Sequence, residues 1–367
     1  MKNSFKCLLF ALIFTSVTIN HCYASAKTYP NLNTPALIPE SSLETVVQLP
    51  EPPGNIAVTK EGRVFFTIHP ESNPEGVKLY ELRAGKPVPF PDEKFQKKFK
   101  TVLGLAIDGQ NRLWAIDHGG NGFKNPKIFA FDMTTGKPVH EFEFPRKYGQ
   151  VGSYFNDLRV SPDGKTVYIA DISFLRRNPA IVIYNTETHQ TRRVLEKDPS
   201  VKALGWTVRH KNKELAVFGG LIKVKLAVDG IALDSRGEWL YFAPMNQDAT
   251  FRIKTNALLD ETLSPKELSK RVDRFGEKPF CDGIEMDEKD NLYITDIEHG
   301  TVFRMNQRRE LRTLAASPKI RWPDGMSASG NGYLYFTDSD LSEVLFKSKK
   351  EIQKAAPFYI YRVKLPQ

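Results

Sequence analysis

Asp229 in "DGIALD", Asp282 in "DGIEMD" and Asp324 in "DGMSAS" each open an apolar run with an Asp-Gly pair, and Asn156 opens the comparable run "NDLRVS". Side-chain oxygens of this kind, brought to one point, suit a hard divalent cation such as calcium, or else zinc. Asn156, Asp229 and Asp282 are therefore the candidate metal ligands. An ion held there would polarise a carbonyl and acidify a bound water. Asp229, Asp282 and His299 are the candidate acid–base groups, because an imidazole titrates near neutral pH and a carboxylate can accept or return a proton. Asn156, Asp324, His118, Glu298 and Phe155 are candidate ligand contacts. A plainer role competes with each: Asp and Asn at strand ends also cap turns by accepting from nearby backbone amides. Cys281, beside Asp282, has no His or Asn partner assigned by spacing and reads as a small buried filler.

These residues need elements that bring them together, and an internal repeat supplies them. One unit recurs six times: a small or acidic opening, an apolar strand, a polar turn, and a second strand ending in a polar cluster. Its copies start at Gly54, Leu103, Asn156, Asp229, Asp282 and Asp324, with spacings of 49, 53, 73, 53 and 42 residues. Each turn carries Gly, Asp or Asn, which tolerate the positive φ of tight hairpins. Two further strand-like stretches follow several copies, as in "KIFAFDMTTGKPVHEFEFP" and "AIVIYNTETHQTRRVLE". Four strands in each of six units predict an all-β fold, a six-bladed β-propeller, with a two-sheet sandwich as the competing arrangement. In a propeller the opening residues line one mouth of the central channel. The second-strand ends (His69, Asp117, His118, Asp171, Asn246, Asp296, Glu298, His299 and Asp338) return to the same face.

"SLETVVQL" from Ser42 has no unit of its own and is expected to close the ring as the outermost strand of the last blade, hiding an edge. "SPKELSKRVDRFG" predicts a short helix before the Asp-Gly of blade five, with Ser264 as N-cap, Pro265 in the first turn, Glu267 completing a capping box and Gly276 as the stop. The longest gap, "DPSVKALGWTVRHKNKELAVFGGLIKVKLAV", is expected to form the outer part of blade three and a loop over one face.

The chain has 367 residues. Residues 1–26 read as a signal peptide, with Lys2 and Lys6 before "CLLFALIFTSVTI" and small residues in "YASA" for cleavage after Ala26 or Ala24. A retained membrane anchor is the alternative. An extended segment over 27–41 and a propeller over 42–367 would follow, giving a secreted or periplasmic protein with no later span. Loss of Lys2 and Lys6 lowers the net charge from +9 to +7. The basic residues are dispersed in sequence, which argues against a nucleic-acid partner. No phosphate loop, nucleophile elbow or paired-His zinc helix is present, so no nucleotide cofactor is expected. Of three cysteines, Cys7 and Cys22 leave with the leader, so Cys281 has no partner for a disulfide or a Cys-based zinc site. A monomer is expected.

"GSYFNDLRVSPDGKTVYIADIS", "VDGIALDSRGEWLYFAPMN" and "ALLDETLSPKELSKRVDRFGEKPFCDGIEMDEKDNLYITDIEHG" resemble the major royal jelly protein/yellow family, from about Leu43 to Leu365. The likeness is to bacterial members, since the cysteines that form disulfides in insect members are lacking. It implies a secreted six-bladed propeller that binds a small molecule, such as an aromatic amine, at the channel mouth. A dopachrome-type isomerase, with His299 or Asp282 moving a proton, is the further activity it implies. More distantly, the ring of Asn and Asp resembles the gluconolactonase/senescence-marker family, which implies a metal-dependent lactone hydrolase with Asn156, Asp229 and Asp282 as ligands. The glutamate this second family carries in blade one is missing, since "PPGN" stands there and Glu51 is not equivalent.

Overall fold

Residues 35–210, 213–217 and 220–366 are described by a computed structural model. The expected leader (1–26) and residues 27–34 lie outside them. Among the described residues, six four-stranded antiparallel sheets form the body of the fold. Their innermost strands are Pro53–Val58, Val102–Ile107, Phe155–Val160, Val228–Leu233, Ile284–Met286 and Pro323–Ser329, and each packs against the next until the sixth meets the first. The fold is thus the six-bladed β-propeller that the repeat predicts.

Closure takes the expected form. Glu44–Leu49 is the outermost strand of blade six and runs antiparallel to Phe358–Lys364, with Leu49 opposite Phe358 and Glu44 opposite Arg362. Val47 and Leu49 bury their side chains with Ile360, Tyr335 and Phe66. The segment just before is less extended than expected. It contains a 3-10 turn at Glu40–Ser42, while the backbone N–H groups of Leu37 and Ile38 donate to Thr313 O and Leu314 O, in the outermost strand of blade five.

The helix beginning at Ser264 forms with both halves of its capping box, but it spans only Pro265–Ser269. Gly276 is not its stop. It lies in Asp273–Glu277, the outermost strand of blade four, because that blade needs a fourth strand and Val272 and Phe275 supply β-branched and aromatic surface to bury. The long insertion after blade three adds no strand to that blade, whose four places are already filled out to Thr191–Val194. It instead forms two short hairpins, Arg209–His210 with Lys213–Glu214 and Ala216–Val217 with Ile222–Lys223. Val208, Trp206 and Leu226 of this insertion pack with Met245, Phe280 and Leu341 over the face where second strands end.

Candidate functional site

The inner strand of blades one, two, three, four and six is irregular at its start: the register with the second strand slips directly after the first paired residue. Two residues in blades one, two, three and six, and Asp229 alone in blade four where Gly230 still pairs with Ala243, are thereby left out of the ladder at the axis. The first place is taken by Gly54, Leu103, Asn156, Asp229 or Asp324, and Asp282 holds the corresponding place in blade five. The next is taken by Asn55, Gly104, Asp157, Gly230, Gly283 or Gly325. Glycine recurs there because neighbouring blades crowd the backbone. A Cβ on Gly283 would overlap the Asp324 carbonyl oxygen, and one on Gly104 would overlap that of Asn156. Threonines of the second strands hold the crowded turns. Thr67 Oγ1 donates to Leu103 O (2.9 Å), Thr337 Oγ1 donates to Gly54 O (2.6 Å), and Thr295 Oγ1 accepts from Asp282 N (3.0 Å).

The result is a cavity on the axis with about 750 Å³ of open space. Asn156, Asp229, Asp282 and Asp324 line it together, with His69, Glu71 and Tyr154 on one side. Its upper wall is apolar, with Phe174, Leu175, Leu226, Met245, Leu341 and Phe346. Leu175 and Phe346 are more than half exposed at the rim. Among the described residues, no lysine or arginine lines this cavity.

Asn156 Nδ2 donates to Asp229 Oδ1, and Trp322 Nε1 donates to Asp282 Oδ2 (2.6 Å). Asp229 and Asp282 also share a hydrogen bond. Burial, reinforced by the mutual repulsion of these carboxylates, pushes Asp229 and Asp324 well above the ordinary aspartate range. Burial also raises Asp282, with the Trp322 hydrogen bond pulling the other way. His69 Nδ1 accepts from Glu71 N (3.2 Å), which leaves the ring proton on Nε2, 3.9 Å from Asp324 Oδ2. Burial depresses His69 and His118 alike to about 3, so both are neutral at physiological pH.

One layer below lies a pair that the repeat alone does not single out. Asn55 Nδ2 donates to Asp157 Oδ1 (2.6 Å), while Asn55 Oδ1 accepts from Leu105 N (3.2 Å) and Ile56 N (2.9 Å). Burial raises Asp157 to about 7, opposed by Arg159 and aided by Asp282 and Glu285. The sequence did carry a signal for this pair: where four blades place glycine after the opening residue, blade one has Asn55 and blade three has Asp157.

Other candidates from the sequence are placed elsewhere. Phe155 is fully buried between blades two and three with Phe144 and Leu158, so it does not face the mouth. Its strand direction sends Asn156 to the axis and Phe155 the opposite way. His118 sits behind the wall, stacked on Tyr154 at 4.0 Å, with Nδ1 accepting from Asn121 N (2.9 Å). Glu298 accepts from Arg209 N in the insertion. His299 lies off the cavity and pairs with Asp296 (2.9 Å), a hydrogen bond that raises its pKa above the usual imidazole value. The aspartates at second-strand ends cap turns. Asp117 accepts from Thr101 N (3.0 Å), Asp171 from Tyr154 N (2.8 Å) and Asp338 from Trp322 N (2.7 Å). Cys281 is buried and free, next to the fully buried Lys278.

The donor set at the mouth is one amide and three carboxylates, hard oxygens that fit a divalent ion in chemistry, and Asp324 Oδ2 is buried without a hydrogen-bond partner. Among the described residues, however, no three His, Cys, Asp or Glu side chains are grouped to hold a metal.

Known proteins share both the sequence and the fold. The chain is 29% identical over 182 residues to major royal jelly protein 6 of Apis mellifera, covering 45% of this chain and 39% of that protein. It spans about two fifths of the length of the curated relatives it matches. Among solved structures, a gluconolactonase from Xanthomonas campestris superposes with a TM-score of 0.57 at 15% identity, over 88% of this chain and 89% of that one. Regucalcin, a calcium-binding protein from Agrobacterium tumefaciens, gives 0.52 at 13% identity, over 88% and 94%. At such identities these two share the fold. The sequence pattern of the major royal jelly proteins matches residues 100–364, from blade two to the closing sheet, and the chain belongs to that family.

Proposed function

We propose that the protein binds a small organic cation, a protonated amine carried on an apolar or aromatic body, at the mouth of the central channel. The observation that carries this reading is the charge asymmetry of the cavity wall: Glu71, Asp229, Asp282 and Asp324 line it and no described lysine or arginine does. The fully buried Lys278, which feels the Asp229 charge from outside the lining, is held by the carbonyl oxygens of Gln247 and Pro279. Buried carboxylates without a counter-charge either hold protons or attract a cation. The apolar wall from Leu226 to Phe346 would desolvate a hydrophobic body above the ammonium group. In the same reading residues 1–26 act as a signal peptide that would carry the protein out of the cytoplasm, and it would act there as a monomer.

A second reading, a divalent-cation-dependent hydrolase acting on a lactone, is supported by the all-oxygen floor and by the unpartnered Asp324 Oδ2. Asn156, Asp229 and Asp282 would hold the ion, which when bound supplies Lewis acidity toward a carbonyl and an acidified water. His69, as the neutral Nε2–H tautomer, would donate toward a substrate oxygen above Asp324.

Calorimetric titration with phenethylamine and with its neutral alcohol analogue, each in EDTA and in calcium, separates the two. Binding of the amine in EDTA, no binding of the alcohol, and a loss of at least about tenfold in Asp229→Asn support the first reading. Calcium binding that disappears in the same variant, with no response to the amine, supports the second.

A further inference from the structure

The loop after the second strand of blade two has four consecutive residues in the left-handed region: Gly119 (φ 65°), Gly120 (φ 64°), Asn121 (φ 56°) and Gly122 (φ 68°). Three glycines make such a turn accessible. It closes through Gly122 N to His118 O (3.0 Å) and Lys124 N to Gly119 O (2.8 Å). From outside, the Arg146 guanidinium donates to the carbonyl oxygens of Gly122 and Phe123. The loop is a wall between two concavities. Asn121 lines the axial cavity, while Phe123 and Lys124 line a second one on the flank of blade two.

This second concavity has about 840 Å³ of open space and is bordered by Lys98, Lys100, Lys124, Lys127 and Arg146. Its acids are already engaged. The Asp117 carboxylate is buried and accepts from Lys100 N, Thr101 N and Gly119 N. Glu143 is held by Asn125 (2.7 Å) and Lys127 (3.2 Å), and Lys98 pairs with Glu141 (2.8 Å). Lys100 and Lys124 are exposed and have no ion-pair partner among the described residues. Beside them Phe123 is 59% exposed, held outward by the glycine turn. Phe123 thus offers an aromatic ring face directly beside two cations that no acid among the described residues offsets.

We propose that this groove binds an acidic polysaccharide, with uronate carboxylates on Lys100 and Lys124 and a sugar ring laid on the face of Phe123. A uronate residue joins an anionic group to a ring with an apolar C–H face, which matches a cation pair flanking an aromatic. A nucleic acid would require an unbroken cationic track along its phosphates, whereas Glu141 and Glu143 interrupt this one. Because the groove lies beside the axial mouth and not across it, a bound polymer leaves the mouth open.

Fluorescence anisotropy of labelled oligogalacturonate against the full protein tests this, with labelled dextran of equal length as the neutral control and a short single-stranded oligonucleotide as competitor. Binding of the uronate, strongest at low salt, with none of the dextran, is expected. Lys100→Glu with Lys124→Glu weakens it about tenfold or more, and Phe123→Ala weakens it about fivefold. Both variants keep the wild-type thermal midpoint and the wild-type response of the axial cavity to amines or calcium. Unchanged uronate affinity in the two variants, equal binding of dextran, or displacement by the oligonucleotide at least as effective as by unlabelled uronate would overturn the proposal.

Discussion

Asp157 shows most directly what burial does to a single group at this site. Its carboxyl is 5% exposed and hydrogen-bonded to Asn55, with Asp229, Asp282 and Asp324 in the layer above. An aspartate in an unfolded chain loses its proton near pH 4, whereas Asp157 keeps its proton up to about 7. Between those values the native state holds a proton that the unfolded state has lost. Stability is therefore greatest at the acidic end of this window, falls as the pH rises toward 7, and is level above it. Asp157→Asn keeps an oxygen for Asn55 and removes the titration. It is expected to raise stability at pH 8 by roughly 1–3 kcal/mol and to flatten the decline between pH 5 and 7. Thermal unfolding across that range, without ligand, is the measurement. A decline as steep as in the wild type would show that Asp157 ionises like a surface carboxylate. Asp229 and Asp324 shift in the same direction, so the slope should shrink without vanishing.

Among the elements, the closing strand and the slipped inner strands have the most consequence. Glu44–Leu49 contributes two kinds of contact whose magnitudes differ. Leu49 is buried against blade six and blade one, while Glu44 pairs with Arg362 at 2.7 Å on the surface. Leu49→Ala should cost about 2–4 kcal/mol in urea unfolding, and Glu44→Ala less than about 1 kcal/mol. Similar costs for the two would mean that the strand is held by its edge charges and not by its packing. This strand, the six hairpins and the capped helix at Ser264 were legible in the sequence, because alternation, turn residues and caps are local signals. The end of that helix was not, since Gly276 belongs to an outer strand that blade four requires and no local signal expresses that need. At the site, the opening residues were legible through the repeat. Asn55 and Asp157 stand one place further along, and their signal, a polar residue where the other four blades carry glycine, lies outside a comparison of the opening positions alone. Phe155 was misread because the slip in the register decides which of two adjacent residues faces the axis. The apolar rim was out of reach, since Leu175, Leu226 and Phe346 come from three loops that only the closed ring brings together.

At the scale of the whole molecule, ring closure concentrates acids from separate blades in one buried mouth, and that makes cation binding and proton binding compete. Each inner strand brings only one or two polar groups to the axis, and none would be unusual alone. Burial raises all four of Asp229, Asp282, Asp324 and Asp157, and the Asp282 charge adds repulsion at the other three, while Asp282 itself is raised by burial against the hydrogen bonds of Trp322 and Asp229. At low pH the mouth is protonated and neutral, and an ammonium ion or a divalent cation gains little there. As the pH rises through about 6 to 7, Asp282 and Asp157 ionise, and a bound cation favours the ionised form by supplying a counter-charge at the mouth. Linkage then requires that cation affinity increase with pH over this window and that each binding event release protons, about one per cation near pH 6–7. Titration calorimetry of the same cation in two buffers of different ionisation enthalpy reads that number directly. Asp282→Asn should reduce both the proton release and the pH dependence. Affinity independent of pH between 5 and 8, with no buffer-dependent heat, would show that the cation binds away from the acid ring. The neutral His69 and His118 do not contribute in this range, because burial already holds both unprotonated.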